Sequence, residues 1–133
     1  MKSIKLAAFN LTELLVVLAI TGILILLALP QLMPLITKAK SVEAKAQLNH
    51  LFTLQKSYFY INSKYSSNFE DIDFEQPKLV TEGGNANYAI EVIEASVNSF
   101  KAKATAVVDF DGDGVFNVWE IDQDQSLNET TKD

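Results

Sequence analysis

The densest chemistry in the chain lies in twelve residues, Asp109-Phe110-Asp111-Gly112-Asp113-Gly114-Val115-Phe116-Asn117-Val118-Trp119-Glu120. Aspartates at 109, 111 and 113 offer hard carboxylate oxygens at alternate places. Gly114 permits a sharp turn, Val115 a carbonyl ligand, Asn117 the ninth position and Glu120 a bidentate carboxylate. The run fits a calcium loop at every defined position, with apolar Phe116 in the eighth. Without a cation, three aspartates this close repel one another by roughly 1 kcal/mol per pair at exposed sites. The competing reading is a Gly-rich turn between two strands, in which Asp and Gly are simply good turn residues. A strand-flanked loop need not carry Glu120 round to a metal as an exiting helix would. The pattern favours calcium held by Asp109, Asp111, Asp113, Val115, Asn117 and Glu120.

A second chemical feature is a single carboxylate, Glu13, at the edge of a long apolar run. A charge there is unfavourable unless it finds a partner. A capping box supplies one: Asn10 as N-cap, with Glu13 three residues later reaching back to its backbone N–H. Phe9 and Leu14 then stand where a hydrophobic staple belongs.

Other chemistries are excluded or unsupported. The absence of cysteine rules out disulfides, thiol catalysis and Cys-based zinc sites. The one histidine, His50, falls between Leu48 and Leu51 and reads as a packed or interface residue; Trp119 reads as core. No nucleophile–base arrangement or phosphate loop is present, so an enzyme is not expected. The net charge of −6 and pI of about 4.7 argue against nucleic acid as the main partner. Charge is unevenly spread: residues 37–65 hold five lysines against Glu43, whereas residues 66–133 hold fifteen acids against four lysines.

These features need elements to position them. Leu14 to Leu29 is free of charge, and the apolar character runs on to Ile36 despite Pro30 and Pro34. As a helix the stretch is about 35 Å long, against a hydrocarbon core of about 30 Å. A cleaved signal peptide fits poorly, because Glu13 interrupts the approach and no small-x-small site follows. A buried soluble helix would need more chain than 133 residues to cover it. A membrane-spanning helix fits best. Beyond it, Leu48, Leu51, Phe52, Gln55, Tyr58, Phe59 and Asn62 recur at helical spacing, predicting continuation over 37–62. Ser63 to Asn87 reads as a long connecting loop with a surface role. Alternation over 87–94, 100–108 and 115–121 predicts three antiparallel strands, and Asp122 to Asp133 a solvated tail. The expected fold class is α+β: one long N-terminal helix, membrane-spanning in its first half and packed by its second half on a small antiparallel sheet.

The segment from Phe9-Asn10-Leu11-Thr12-Glu13-Leu14 through Gly22 to Pro30 resembles the N-terminal segment of type IV pilins over about 22 contiguous residues. The resemblance implies a basic leader, residues 1–8, removed by prepilin peptidase between Ala8 and Phe9, and N-methylation of Phe9. The family usually has glycine where this chain has Ala8. It implies assembly through the helix of residues 9–36, with Glu13 paired to the amine of a neighbouring subunit's Phe9, and Gly22 and Pro30 bounding a stretch that unwinds in the filament. A kinked membrane helix is the alternative reading of the prolines. Residues 37–133 would form the head.

The function so implied is a structural subunit of a type IV pilus, of the kind serving adhesion and motility. Its partners would be identical or related subunits and the inner-membrane assembly machinery. It would reside in the bacterial inner membrane before assembly and in a surface filament after. Alternatives are a pseudopilin of a type II secretion system, ending in the periplasm, and a membrane-anchored calcium-binding module. The Arg-Tyr-Pro and Asp-Pro-Trp-Gly motifs of the major pseudopilins are missing, which favours the pilus.

Overall fold

The computed structural model describes residues 8–133. Residues 1–7, which hold all of the expected leader except Ala8, lie outside the described residues. A single helix, α1, runs over Leu11–Asn62 and passes through Pro30 and Pro34 without a break. The chain divides into two compact units after Met33.

In the first unit, α1 is exposed on every side. Leu14, Leu18, Ile23 and Leu27 are each more than half exposed. It is long and apolar enough to cross a membrane. No intramolecular face covers these residues, so their burial requires lipid or other chains.

The second unit, from Pro34, is the head. Here α1 buries Thr37, Ser41, Ala44, Leu48, Leu51 and Gln55, at alternating steps of four and three that keep one face inward. That face packs on a four-stranded antiparallel sheet, ordered as in the chain: β1 Tyr88–Ala95, β2 Phe100–Ala106, β3 Val118–Asp122 and β4 Leu127–Thr131. Strand β2 buries Phe100, Ala102, Ala104 and Ala106 and turns Lys101 and Lys103 outward. Its alanines pair with Ile90 and Val92 on one side and Trp119 and Ile121 on the other. Small residues at the sheet centre make room for the helix, while Tyr88 and Phe100 supply bulk.

Three expectations are corrected. The stretch expected as a solvated tail contains β4, which pairs with β3 through Trp119–Glu129 and Ile121–Leu127. Asp122 makes the turn, its Oδ1 accepting the N–H groups of Asp124 and Ser126, and Gln125 takes a φ of 61°. Strand β4 was hidden because its half-buried residues include Glu129 and Thr131 beside Leu127. The long connection is not merely surface: Tyr65, Ile72 and Phe74 enter the core. Gln55 holds the connection down from inside the helix, its Nε2 donating to Ser66 O at 2.6 Å and its Oε1 accepting from Ser66 N at 3.1 Å. Strand β3 begins at Val118, three residues later than the alternation implied, because Asp109 to Asn117 is occupied by the acidic loop. His50 is exposed, its ring 5.9 Å from that of Phe74, and Trp119 is half-buried and packs against the core.

Candidate functional site

The helix start is built from its own side chains. Asn10 N–H donates to Glu13 Oε2 at 3.0 Å, and Glu13 N–H donates to Asn10 Oδ1 at 2.8 Å. Both halves of the capping box are therefore formed, and two of the helix's unpaired donors are satisfied. Ala8 is exposed and precedes the helix. Phe9 beside it is 87% exposed, so little among the described residues covers its ring. A Cβ added at Gly22 would meet nothing within 4 Å, so packing inside the chain does not require glycine there. Pro30 lacks the N–H that would close the helical ladder, leaving a weak point within an unbroken helix.

The acidic loop connects β2 to β3 and folds on its own carboxylates. Asp109 Oδ1 accepts from Gly112 N and its Oδ2 from Gly114 N, each at 2.6 Å. Asp111 accepts from Asp113 N at 3.0 Å and Asp113 from Val115 N at 2.7 Å. Gly112 and Gly114 take φ of 83° and 88°, a region unfavourable for any other residue. The N–H of Gly114, helped by that of Gly112, holds the Asp109 carboxyl below its usual range. Asp111 behaves oppositely. The N–H of Asp113 pulls it down, but desolvation and the charges of Asp113, Asp133 and Asp109 outweigh that and raise it.

The structure gathers one carboxylate oxygen from each of Asp109, Asp111, Asp113 and Asp133 within 4.8 Å of one another. Of the expected ligands, the three aspartate side chains are thus brought together. Val115 is exposed at the loop's exit. Asn117 is buried elsewhere: its Oδ1 accepts from Tyr88 OH at 2.7 Å, and its Nδ2 donates to Glu129 Oε1 and Thr131 O. Glu120 lies within β3, opposite Lys103 and 3.9 Å from the Lys101 ammonium. An extended strand leaving the loop carries Asn117 and Glu120 away, where a helix would have wound them back. Asp133 takes a place in the cluster, its Oδ2 accepting from Phe110 N at 2.9 Å and its Oδ1 buried without a hydrogen bond. Spacing gave no signal for Asp133. It arrives through the pairing of β4 on β3, which the polar sequence of β4 concealed.

No family model matches the chain. Among characterised proteins it is similar to a type IV major pilin protein PilA of Myxococcus xanthus (strain DK1622), with 41% identity over 66 residues. That similarity takes in half of this chain and spans 30% of the length of the Myxococcus protein. Together with the long apolar N-terminal helix on an antiparallel sheet, it is consistent with a type IV pilin.

Proposed function

We propose that this chain is a structural, non-enzymatic subunit of a type IV pilus. The observation that carries the reading is the similarity to a type IV major pilin. An apolar half-helix that its own chain leaves bare supports it. In this reading prepilin peptidase cuts between Ala8 and Phe9, Phe9 is N-methylated, and the helix then inserts among the helices of identical or related subunits. Before assembly the same surface is covered by the inner membrane. Glu13 pairs with a neighbour's Phe9 amine, and in a bundle of apolar helices that pair selects one axial stagger. Gly22 and Pro30 mark where α1 yields on packing. The test is mass spectrometry of shear-released surface filaments. A chain beginning at methylated Phe9 is expected. An intact Met1, recovery only in membranes, or accumulation in the periplasm with a secretion apparatus would overturn the pilus reading.

A cation in the acidic loop is a second part of the proposal, favoured by the four convergent carboxylates. Calcium suits such hard, crowded oxygens, and extracellular modules bind it at about 10⁻⁴–10⁻³ M. Binding to the folded state alone raises the melting temperature with the logarithm of free calcium. Melts of the detergent-solubilised full chain in millimolar calcium and in chelator, with Asp111→Ala as comparison, decide the matter. Indifference to calcium would return the loop to a plain turn.

A further inference from the structure

Where α1 ends, the head shows an apolar tip. Tyr60 and Ile61, in the last turn of the helix, are 80% and 83% exposed. Ser63 stops the helix with a φ of 56°, and Tyr65 N–H then donates to Ser96 O at 2.9 Å. That bond sets the turn between β1 and β2 beside the helix end, and Val97 in the turn is exposed as well. Lys64, next in the chain, is exposed beside them. Large apolar side chains gathered in the open at one place mark a contact surface.

The long connection carries a matching hollow. Phe74 N–H donates to Phe69 O at 3.0 Å, closing a short loop that brings the two rings to 4.9 Å. The rings and the carboxylates of Glu70, Asp73 and Glu75 line a groove of about 290 Å³. All three acids are exposed. Among the described residues, the ion pairs within 4.0 Å are Lys101–Glu120 and Lys103–Glu91. Lys64 and the three groove acids therefore find no ion-pair partner among them.

We propose that the tip of one copy of this chain seats in the groove of a second copy, with Lys64 against Glu70, Asp73 and Glu75 and with Tyr60 and Ile61 against the Phe69 and Phe74 rings. Charge complementarity carries the choice of partner. Three like charges around one groove repel one another, and a neighbour's lysine relieves that repulsion. An ammonium entering such a groove meets ring faces as well as carboxylates. The apolar side chains that flank Lys64 then cover the aromatic floor. In the chain itself Tyr60 and Ile61 lie open, so the tip does not occupy its own groove. Tip and groove consist of different residues, so the contact is heterologous: each copy gives its tip to one neighbour and its groove to another. A contact of this kind repeats into an open filament when its rotation does not close. The proposal rests on the pilus reading above for the supply of neighbouring copies, and adds a contact between heads to the one proposed between helices.

The chain has no cysteine, so introduced thiols report without background. Cells would express the full chain as Ile61→Cys, as Asp73→Cys, or as both chains together, and be oxidised before filaments are sheared off. The expected result is a covalent dimer in the mixed cells and none with either chain alone. In a second measurement, Lys64→Glu and Asp73→Lys should each lower filament yield by about tenfold, and the two combined in one chain should restore most of it. Asp124→Lys, an exposed acid outside the groove, should leave the yield unchanged. Dimers from either chain alone, or a combined charge variant no better than the single ones, overturn the proposal. Adducts of the Asp73→Cys chain with other proteins and not with this chain assign the groove to a different partner and also overturn it. Filaments without the mixed dimer defeat this contact and leave the pilus reading standing. The mixed dimer in membranes of cells that shed no filaments keeps the contact and defeats the pilus reading. Neither dimer nor filament defeats both.

Discussion

Tyr88, the first residue of β1, donates its hydroxyl to Asn117 Oδ1 at 2.7 Å, joining the start of the sheet to the exit of the acidic loop inside the core. Both side chains are fully buried. Asn117 passes the connection on to Glu129 and Thr131, so one amide links β1, the loop and β4. Burial, followed by the charges of Glu43, Asp133 and Glu129, raises the phenol above its usual range and keeps it a donor.

Tyr88→Phe removes the donor and leaves Asn117 Oδ1 buried without one. A loss of about 1–3 kcal/mol in head stability is expected. The shift should appear equally with calcium and with chelator, because Asn117 is a latch between strands and not one of the clustered carboxylates. Thermal melting under both conditions measures it. A loss seen only in the presence of calcium would return Asn117 to the role of a cation ligand.

The architecture was legible because its determinants are periodic. Leu48, Leu51 and Gln55 announce a helix face, and Phe100, Ala102, Ala104 and Ala106 announce a strand, without knowledge of what they meet. Asn10 and Glu13 announced the capping box through spacing alone. Strand β4 was illegible because Leu127, Asn128, Glu129, Thr130 and Thr131 earn their place by pairing and by Glu129's bond to Asn117, neither of which leaves an apolar pattern. The same gap hid Asp133. Conversely, the twelve-residue loop pattern implied Asn117 and Glu120 as ligands because it presumes a helical exit, and a strand follows instead.

Acid titration should separate the loop carboxylates. Asp109 is held below the ordinary aspartate value by the N–H groups it accepts, so its contribution is complete above about pH 3.9 and is lost as pH falls through its lower folded value. Asp111 is raised, so its ionisation opposes folding and protonation relieves that as pH falls. Carboxyl NMR should show Asp109 titrating below Asp111, and added calcium should lower the Asp111 midpoint. The reverse order would mean that the turn's hydrogen bonds do not persist in solution.

Gln55 is the only fully buried polar side chain on the described part of α1 that reaches the long connection, where it bonds both backbone groups of Ser66. Gln55→Leu keeps bulk but strands an N–H and a C=O. A loss of about 2–6 kcal/mol is expected, from two groups at about 1–3 kcal/mol each. Hydrogen exchange should quicken at Tyr65 and Ser66 before it does in β2. Unchanged protection there would show that Tyr65, Ile72 and Phe74 alone hold the connection.

Glu13 has one role visible within the chain and a second in the proposed filament, and two substitutions separate them. Glutamine at position 13 keeps an oxygen for Asn10 N–H, and the residue-13 N–H still reaches Asn10 Oδ1, so Glu13→Gln preserves the capping box and removes only the charge. Glu13→Ala removes the charge and one half of the box, weakening the helix start by up to about 1 kcal/mol. If the carboxylate pairs with a neighbour's amine, both variants should insert in the membrane and keep the head's melting temperature, and both should yield far fewer shear-released filaments. If the box is what assembly needs, Glu13→Gln should assemble like the parent and only Glu13→Ala should fail. Filament mass per cell, measured beside membrane-fraction abundance, distinguishes the two, and parental yield from Glu13→Gln would sink the charge-pair role.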